Sequence, residues 1–407
     1  MNKLILIGNG FDLAHGMRTS YNDFILWYIK HCYLEAFEKG SYKDDVIGIE
    51  RNADYSGNLV DFDGVINFVE ESYKQGFGTL GASIPVMGND YSKQFPFYTK
   101  PSELMRLLLW NCSYTTWVDI ETEFYQQLKN ILRADNAYSN KQIELAELNK
   151  SLAFIIDKLG EYLKQLPKPT FDERYMPIFE PRLWKFDLLL PWSPGPQWRS
   201  DERYKINRTC ILNFNYTQTC GLYLNHPDYE SPFELINIHG QLNDKDNPLV
   251  FGFGDELDED YLKMERERAK GYFNFIKSFW YFRTPNYWNL IRFIESDDYH
   301  LCVLGHSCGL SDRTMLHMIM EHSNCKSIKI FYHGEENNNN YTTTTYEIAR
   351  HFNDKALMRK RIIPFGQCKR MPQYDDKREI PDYTLLNNGY CNYHKLDASV
   401  SKDTKVE

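Results

Sequence analysis

The sequence predicts a three-layer α/β fold with a parallel sheet and a large, mostly helical insertion after the first strand. Three observations carry that expectation. Leu4-Ile5-Leu6-Ile7 is an unbroken apolar run ending in Gly8-Asn9-Gly10, which reads as a strand buried on both faces and then a tight turn. From about Phe24 to Pro196, Tyr, Trp and Leu recur instead at helical spacing, as expected of packed helices. Beyond Pro191, Pro194 and Pro196, short apolar runs return, each followed by a polar or glycine-containing turn, as parallel strands present their C-terminal edge.

In chain order, the first strand is Leu4–Ile7, with a helix from about Asp12. Helical spacing then covers Leu104 to Trp110, Val118 to Ile131 and Ile143 to Leu166, while residues 40 to 101, rich in Gly, Asp, Asn, Ser and Tyr, favour irregular structure that could cover a site. Further strands are expected at Cys210–Leu212, Leu235–Ile238, Leu301–Leu304, Ile328–Phe331 and Arg361–Ile363, with a helix over Tyr346 to Ala356. Residues 1–24 and 205–370 would form the core, 25–204 the insertion, and 371–407 a peripheral polar segment. At 407 residues the chain exceeds what one hydrophobic core usually holds.

Composition narrows the function classes. The 42% hydrophobic and 25% charged content is that of an ordinary globular protein. A net charge of −9 and no long basic run argue against a nucleic-acid partner. Nine cysteines without a C-x-x-C suggest a reduced cytoplasmic setting and no zinc ribbon, so no metal is expected. The N-terminal apolar run is too short for a signal segment or a membrane span.

Several turns carry candidate chemistry. Gly8-Asn9-Gly10-Phe11-Asp12 lies between a strand and a helix, where glycines let a backbone approach a pyrophosphate at the helix N-terminus. Leu13 occupies the third position of G-x-G-x-x-G, so the dehydrogenase fingerprint fails. Taken alone, such a turn with Asp12 as a helix cap is structural. Asn213-Phe214-Asn215-Tyr216-Thr217, Asn237-Ile238-His239-Gly240 and Phe251 to Glu256 follow as polar clusters, and strand ends of one parallel sheet converge on one edge. Gly305-His306-Ser307-Cys308-Gly309, continuing to Asp312, could hold a ribose or phosphate, or be a tight turn with Asp312 as a cap. The same stretch satisfies G-x-S-x-G, which makes Ser307 a rival nucleophile; that order needs an acid and then a histidine downstream, and Asp354 follows His351, so that only His394 comes later. Asp119 and Glu123 stand one helical turn apart with Glu121 on another face; paired carboxylates could bind metal or do acid–base work, but the pattern reads first as a solvated or N-terminal helix face.

The run Ile7 to Gly16 with Thr19-Ser20-Tyr21-Asn22-Asp23-Phe24 resembles the opening of the AbiH family of phage-defence proteins. Trp117 to Glu121, Leu212 to Thr217, Asn237 to Gly240 and Leu304 to Ser307 resemble that family's later blocks. The same landmarks resemble, more remotely, the NAD-binding core of sirtuins and sirtuin-like defence proteins. Gly8, Gly10 and Gly16 echo the glycine run, Asn213 to Thr217 the T-Q-N-I-D block, His239-Gly240 the H-G pair, Phe251 to Glu256 the F-F-G-E loop and Gly305 to Ser307 the late G-T-S. Asp12 stands where that family has serine, and Thr217 where it has the nicotinamide-contacting aspartate.

That resemblance implies a Rossmann-like, sirtuin-like sheet binding NAD. His239 would be the base or ribose contact and Asn215 would orient water or ribose. Gly8, Asn9, Gly10, Phe11, Asp12, Asn213, Thr217, Gly305, His306, Ser307 and Asp312 would bind the nucleotide. The expected function is phage defence by abortive infection, with NAD hydrolysis at the nicotinamide–ribose bond. A nucleotide or ADP-ribose sensor without turnover and a Ser307 hydrolase stay open, as do self-association and the phage-derived trigger.

Overall fold

The computed structural model describes residues 1–53, 55, 61–75, 96–114, 119–135, 138–180, 182–183, 204–224 and 233–375. The prolines of 191–196, Trp117, Val118, Cys391, His394 and the segment 376–407 lie outside these residues.

The central sheet has six parallel strands: β1 (Asn2–Ile7), β2 (Thr209–Asn213), β3 (Phe233–Asn237), β4 (Tyr299–Leu304), β5 (Cys325–Tyr332) and β6 (Lys369–Arg370). Their spatial order is β3-β2-β1-β4-β5-β6, so the direction of winding reverses between β1 and β4. In open parallel sheets the crevice at that reversal is where ligands bind.

The strand side chains alternate between two cores, as a pleat requires. Leu4, Leu6, Cys210, Leu212, Leu301, Val303, Ile328 and Ile330 face one. Helices Asn286–Ser296, Arg313–Glu321 and Tyr341–Ala349 close it with Leu290, Phe293, Met315, Leu316, Ile319 and Ile348. Ile5, Ile7, Ile211, Cys302 and Leu304 face the other, against Phe11, Tyr175, Phe179 and Tyr223. Both faces are therefore covered, which is why these strands read as unbroken apolar runs.

Between β1 and β2 the chain forms helices Tyr21–Lys39, Phe62–Lys74, Glu103–Tyr114, Ile120–Arg133 and Tyr138–Gln165, around a core of their own. Residues 40–101, expected to be irregular, contain helix Phe62–Lys74 and an antiparallel sheet of Ser41–Lys43, Ile47–Arg51 and Phe97–Pro101. Its strands are five residues or fewer, too short to leave a sustained pattern.

Arg361–Ile363 is not a sheet strand. Helix Lys355–Arg361 runs into it, Pro364 follows, and only an isolated bridge joins Ile362 to Ile328. Arg361 instead turns its guanidinium onto the Met320 carbonyl. The sixth strand is Lys369–Arg370, and beyond it Met371 is still buried and Tyr374 donates its N–H to the Ala14 carbonyl. The helix expected over Tyr346 to Ala356 is two helices, Tyr341–Ala349 and Lys355–Arg361, broken around Asp354, whose carboxylate caps the second. Among the described residues no helix is long and apolar enough to cross a membrane.

Candidate functional site

Register decides what meets at the sheet edge. Ile7 pairs with both Asn213 and Leu304, and Asn213 pairs with Asn237, so four strands end in one row. The residues after them therefore emerge side by side. One cleft there is lined by Gly8, Asn9, Gly10, Asp12, Asn215, Thr217, His239, Gly305, His306, Ser307 and Asp312, all of them expected, and also by Thr19, Tyr21, Asp119, Glu121, Phe214, Tyr216 and Ser311.

The turns after β1 and β4 cross in contact. A Cβ on Gly8 would stand 2.6 Å from the His306 Cα, and one on Gly10 would stand 2.8 Å from the Gly305 carbonyl oxygen. Gly305 has φ +70°, and a Cβ there would be 2.2 Å from the Phe11 nitrogen. Glycine is thus demanded by backbone crowding. The same crossing occupies two of the turn's N–H groups, Gly8 donating to the Leu304 carbonyl and Gly10 to the Gly305 carbonyl, while Phe11 donates within the turn to the Gly8 carbonyl. The helix that follows, Asn9–Ala14, is six residues long and capped by Gly8, with Asp12 inside it.

Asp12 is therefore not a cap. It is buried, and its Oδ2 accepts a 2.5 Å hydrogen bond from the Thr217 hydroxyl. Burial pushes its carboxyl up to about 6, against the opposing pull of the Thr217, Thr219 and Asn215 side chains.

Asn213 lies behind the cleft as the organiser of its own turn. Its amide nitrogen reaches the carbonyls of Asn215 and Thr217 and the Asn237 side chain, while its Oδ1 accepts from the Asn215 N–H. That arrangement presents Asn215, whose side-chain amide donates to the Gly8 carbonyl across the strand gap. Phe11 is likewise behind the cleft, buried among Tyr175, Phe179 and Tyr223.

His239, buried, stands edge-on to Phe214 with its Nε2 3.1 Å from the Asp312 Oδ1. Its pKa does not stay near the ordinary imidazole value: burial and the Lys277 ammonium lower it, against the pull of Asp312. His306 is also neutral, pushed by burial to about 4. Its Nδ1 accepts from the Cys308 N–H, which leaves the proton on Nε2.

Beneath these imidazoles lies a buried ionic network. The Lys277 ammonium, 0% exposed, sits 2.8 Å from the Asp312 Oδ1 and 2.9 Å from the Glu121 Oε2. Burial alone would lower the lysine, but the two carboxylates outweigh it and hold it up to about 12. Burial would raise Asp312, yet Lys277, His239 and His306 keep it well below the usual carboxylate range. Glu121 is pushed by burial up to about 7, with Lys277 opposing and Asp312 adding to the rise. Asp312 stands at the N-cap position of helix Arg313–Glu321, yet its side chain accepts no capping hydrogen bond, because its oxygens are committed to this network.

Phe251 to Glu256 does not line the cleft. The Gly252 N–H donates to the Glu121 Oε1, and Phe253 exchanges backbone hydrogen bonds with Phe275 and Lys277. The segment fixes the network from behind. Asp119 caps helix Ile120–Arg133 by accepting from the Thr122 N–H, as a helix-end reading expects.

Sequence reasoning placed neither Glu121 nor Lys277 at the site. A signal existed for the first: Glu121 falls in the same stripe as Phe124, Tyr125 and Leu128, which is the buried face of its helix. Lys277 is a single cation inside Phe273-Asn274-Phe275-Ile276-Lys277-Ser278-Phe279-Trp280.

Ser307 lines the cleft without a base. Its hydroxyl has no hydrogen bond to a histidine among the described residues, and His351, buried, directs its Nε2 to the Cys308 carbonyl. Beside Gly305, the left-handed residue of the turn is Cys308, φ 56°, rather than Ser307. Among the described residues no cluster of His, Cys, Asp or Glu could hold a metal ion, and of the eight described cysteines seven are buried.

Neither the curated proteins nor the solved structures contain a match to this chain. The family model described as "Bacteriophage abortive infection AbiH" matches residues 4–333. Those residues include β1 from Leu4 onward, β2 to β5, the helices between β1 and β2, and every residue lining the cleft. The chain belongs to the AbiH family of bacteriophage abortive-infection proteins.

Proposed function

We propose that the cleft binds NAD or a related nucleotide and hydrolyses its nicotinamide–ribose bond, so that activation during infection lowers the cell's NAD. The reading treats the sheet as Rossmann-like, with the remote sirtuin resemblance supplying NAD as the substrate. The observation that carries it is convergence: Asn215, His239 and the Gly8–Asp12 turn come from three strand ends and line one cleft where the winding reverses.

The chemistry suits the groups present. In hydrolysis, water attacks the anomeric carbon, the C–N bond breaks, and its electron pair neutralises the departing pyridinium. Positive charge builds on the ribose as the bond loosens. Carboxylates placed before the reaction stabilise such charge without reorganising, and Glu121 and Asp312 line this cleft. His239, neutral, is able to take the proton that the attacking water releases, with Asp312 stabilising the imidazolium that results. Asn215, held by its bond to Gly8, orients the water or a ribose hydroxyl.

Nicotinamide release from NAD by the purified protein, followed chromatographically, tests this. His239→Ala and Asn215→Ala are each expected to lose about 10²- to 10⁴-fold in rate with unchanged circular dichroism. Binding of NAD or ADP-ribose without any release, including in lysate of infected cells, would make the protein a sensor. No binding of either nucleotide would end the reading.

A further inference from the structure

We propose that Asp12 enters the nucleotide complex as a neutral carboxylic acid and donates its proton to a phosphoryl oxygen, so that binding takes up one proton. This rests on the nucleotide reading above and specifies how an anionic ligand is held.

The glycine turn has little left to offer an anion. The N–H groups of Gly8, Gly10 and Phe11 are bonded to carbonyls, two of them on or next to the crossing turn after β4. Among the described residues, the cleft lining contains Asp12, Asp119, Glu121 and Asp312 but no lysine or arginine, and the Lys277 ammonium behind it is paired with two carboxylates. An ionised Asp12 beside a phosphate would add repulsion in a buried site, where like charges interact strongly. A protonated Asp12 removes that repulsion and supplies a donor.

The side chain is arranged for that role. Asp12 lines the cleft, is 1% exposed, and its Oδ1 has no hydrogen-bond partner, whereas Oδ2 is held by Thr217. The groups around it are the neutral Thr217, Thr219 and Asn215, with the Cys220 thiol pushed up to about 12 by burial and by Asp12 itself. Its carboxyl, at about 6, is poised to take a proton near neutral pH. Elsewhere on the cleft, His306 at about 4 stays neutral through this window, whereas Glu121 at about 7 titrates within it and must be controlled for.

The experiment is isothermal titration of the full chain with ADP-ribose, from pH 6 to 8, in buffers of different ionisation enthalpy. Close to one proton is expected to be taken up per nucleotide at pH 7.5, with affinity weakening towards tenfold per pH unit above neutrality. Asp12→Asn, which keeps a donor without a charge, should lose the uptake, and combined with Glu121→Gln it should bind with an affinity that does not vary across this range. Glu121→Gln should keep it. Binding without proton uptake, affinity that rises with pH, or uptake that persists in Asp12→Asn overturns this inference and leaves the nucleotide reading standing. A folded protein that binds no ADP-ribose at any pH overturns both.

Discussion

The cleft is built by two regions that work by different physics. At the sheet edge the turns after β1 and β4 meet by backbone contact, with Gly8, Gly10 and Gly305 chosen because a Cβ would collide. The inserted helices, besides packing Phe124 and Tyr125 on Phe275 and Phe253, meet the cleft by charge, through Glu121, Lys277 and Asp312. The first contact fixes where strand ends lie, and the second fixes what electrostatic field they feel. Sterically determined geometry tolerates pH and salt, whereas a buried ion set depends on every member being present.

Breaking the charged side should cost most. Lys277→Met leaves Asp312 and Glu121 buried without their cation, and a loss of about 3–5 kcal/mol in unfolding free energy is expected by chemical denaturation. Adding Glu121→Gln should restore part of it, and a double variant no more stable than the single one would show that the two residues do not act as a unit.

Asp12 belongs to the sheet edge but behaves electrostatically. Its raised pKa means that the folded state prefers the protonated form, so its stabilising effect is complete below about pH 3.8 and is lost as pH rises through about 6. Relative to Asp12→Asn, the wild type should therefore lose roughly 2–3 kcal/mol between pH 4 and pH 7, since each tenfold difference in proton affinity between the folded and unfolded chain is worth about 1.4 kcal/mol. Parallel stability curves for the two proteins would contradict the burial effect.

On the steric side, Gly305→Ala forces a Cβ into a left-handed residue against the Phe11 nitrogen. About 2 kcal/mol or more should be lost, with no dependence on pH; a pH-dependent loss would mean that the crossing also carries charge. The smallest effect is expected at Asp119→Ala, which removes the Thr122 cap for about 1 kcal/mol. If that variant also lowered nucleotide affinity, Asp119 would act on the ligand and not only on its helix.

Much of the edge was legible in the residues. Apolar runs located five of the six strands, and the polar turns after four of them supplied most of the cleft, because a strand buried on both faces must be apolar throughout and must end in a turn. The sixth strand, Lys369–Arg370, carries no apolar signature, and Arg361–Ile363 carried a false one. Asn213 and Phe11 stood in the right motifs yet face away from the cleft, since motif spacing places a backbone but does not say which way a side chain turns.

The sequence alone therefore determined five strands of the sheet, its turn glycines and the family, since backbone crowding and apolar burial leave a local imprint on residue choice. Only the tertiary structure decided that Glu121, Lys277 and Asp312 form one buried network. Those residues are separated by 156 and 35 positions, and a charge's partner is set by the packing of whole elements, which no local pattern records.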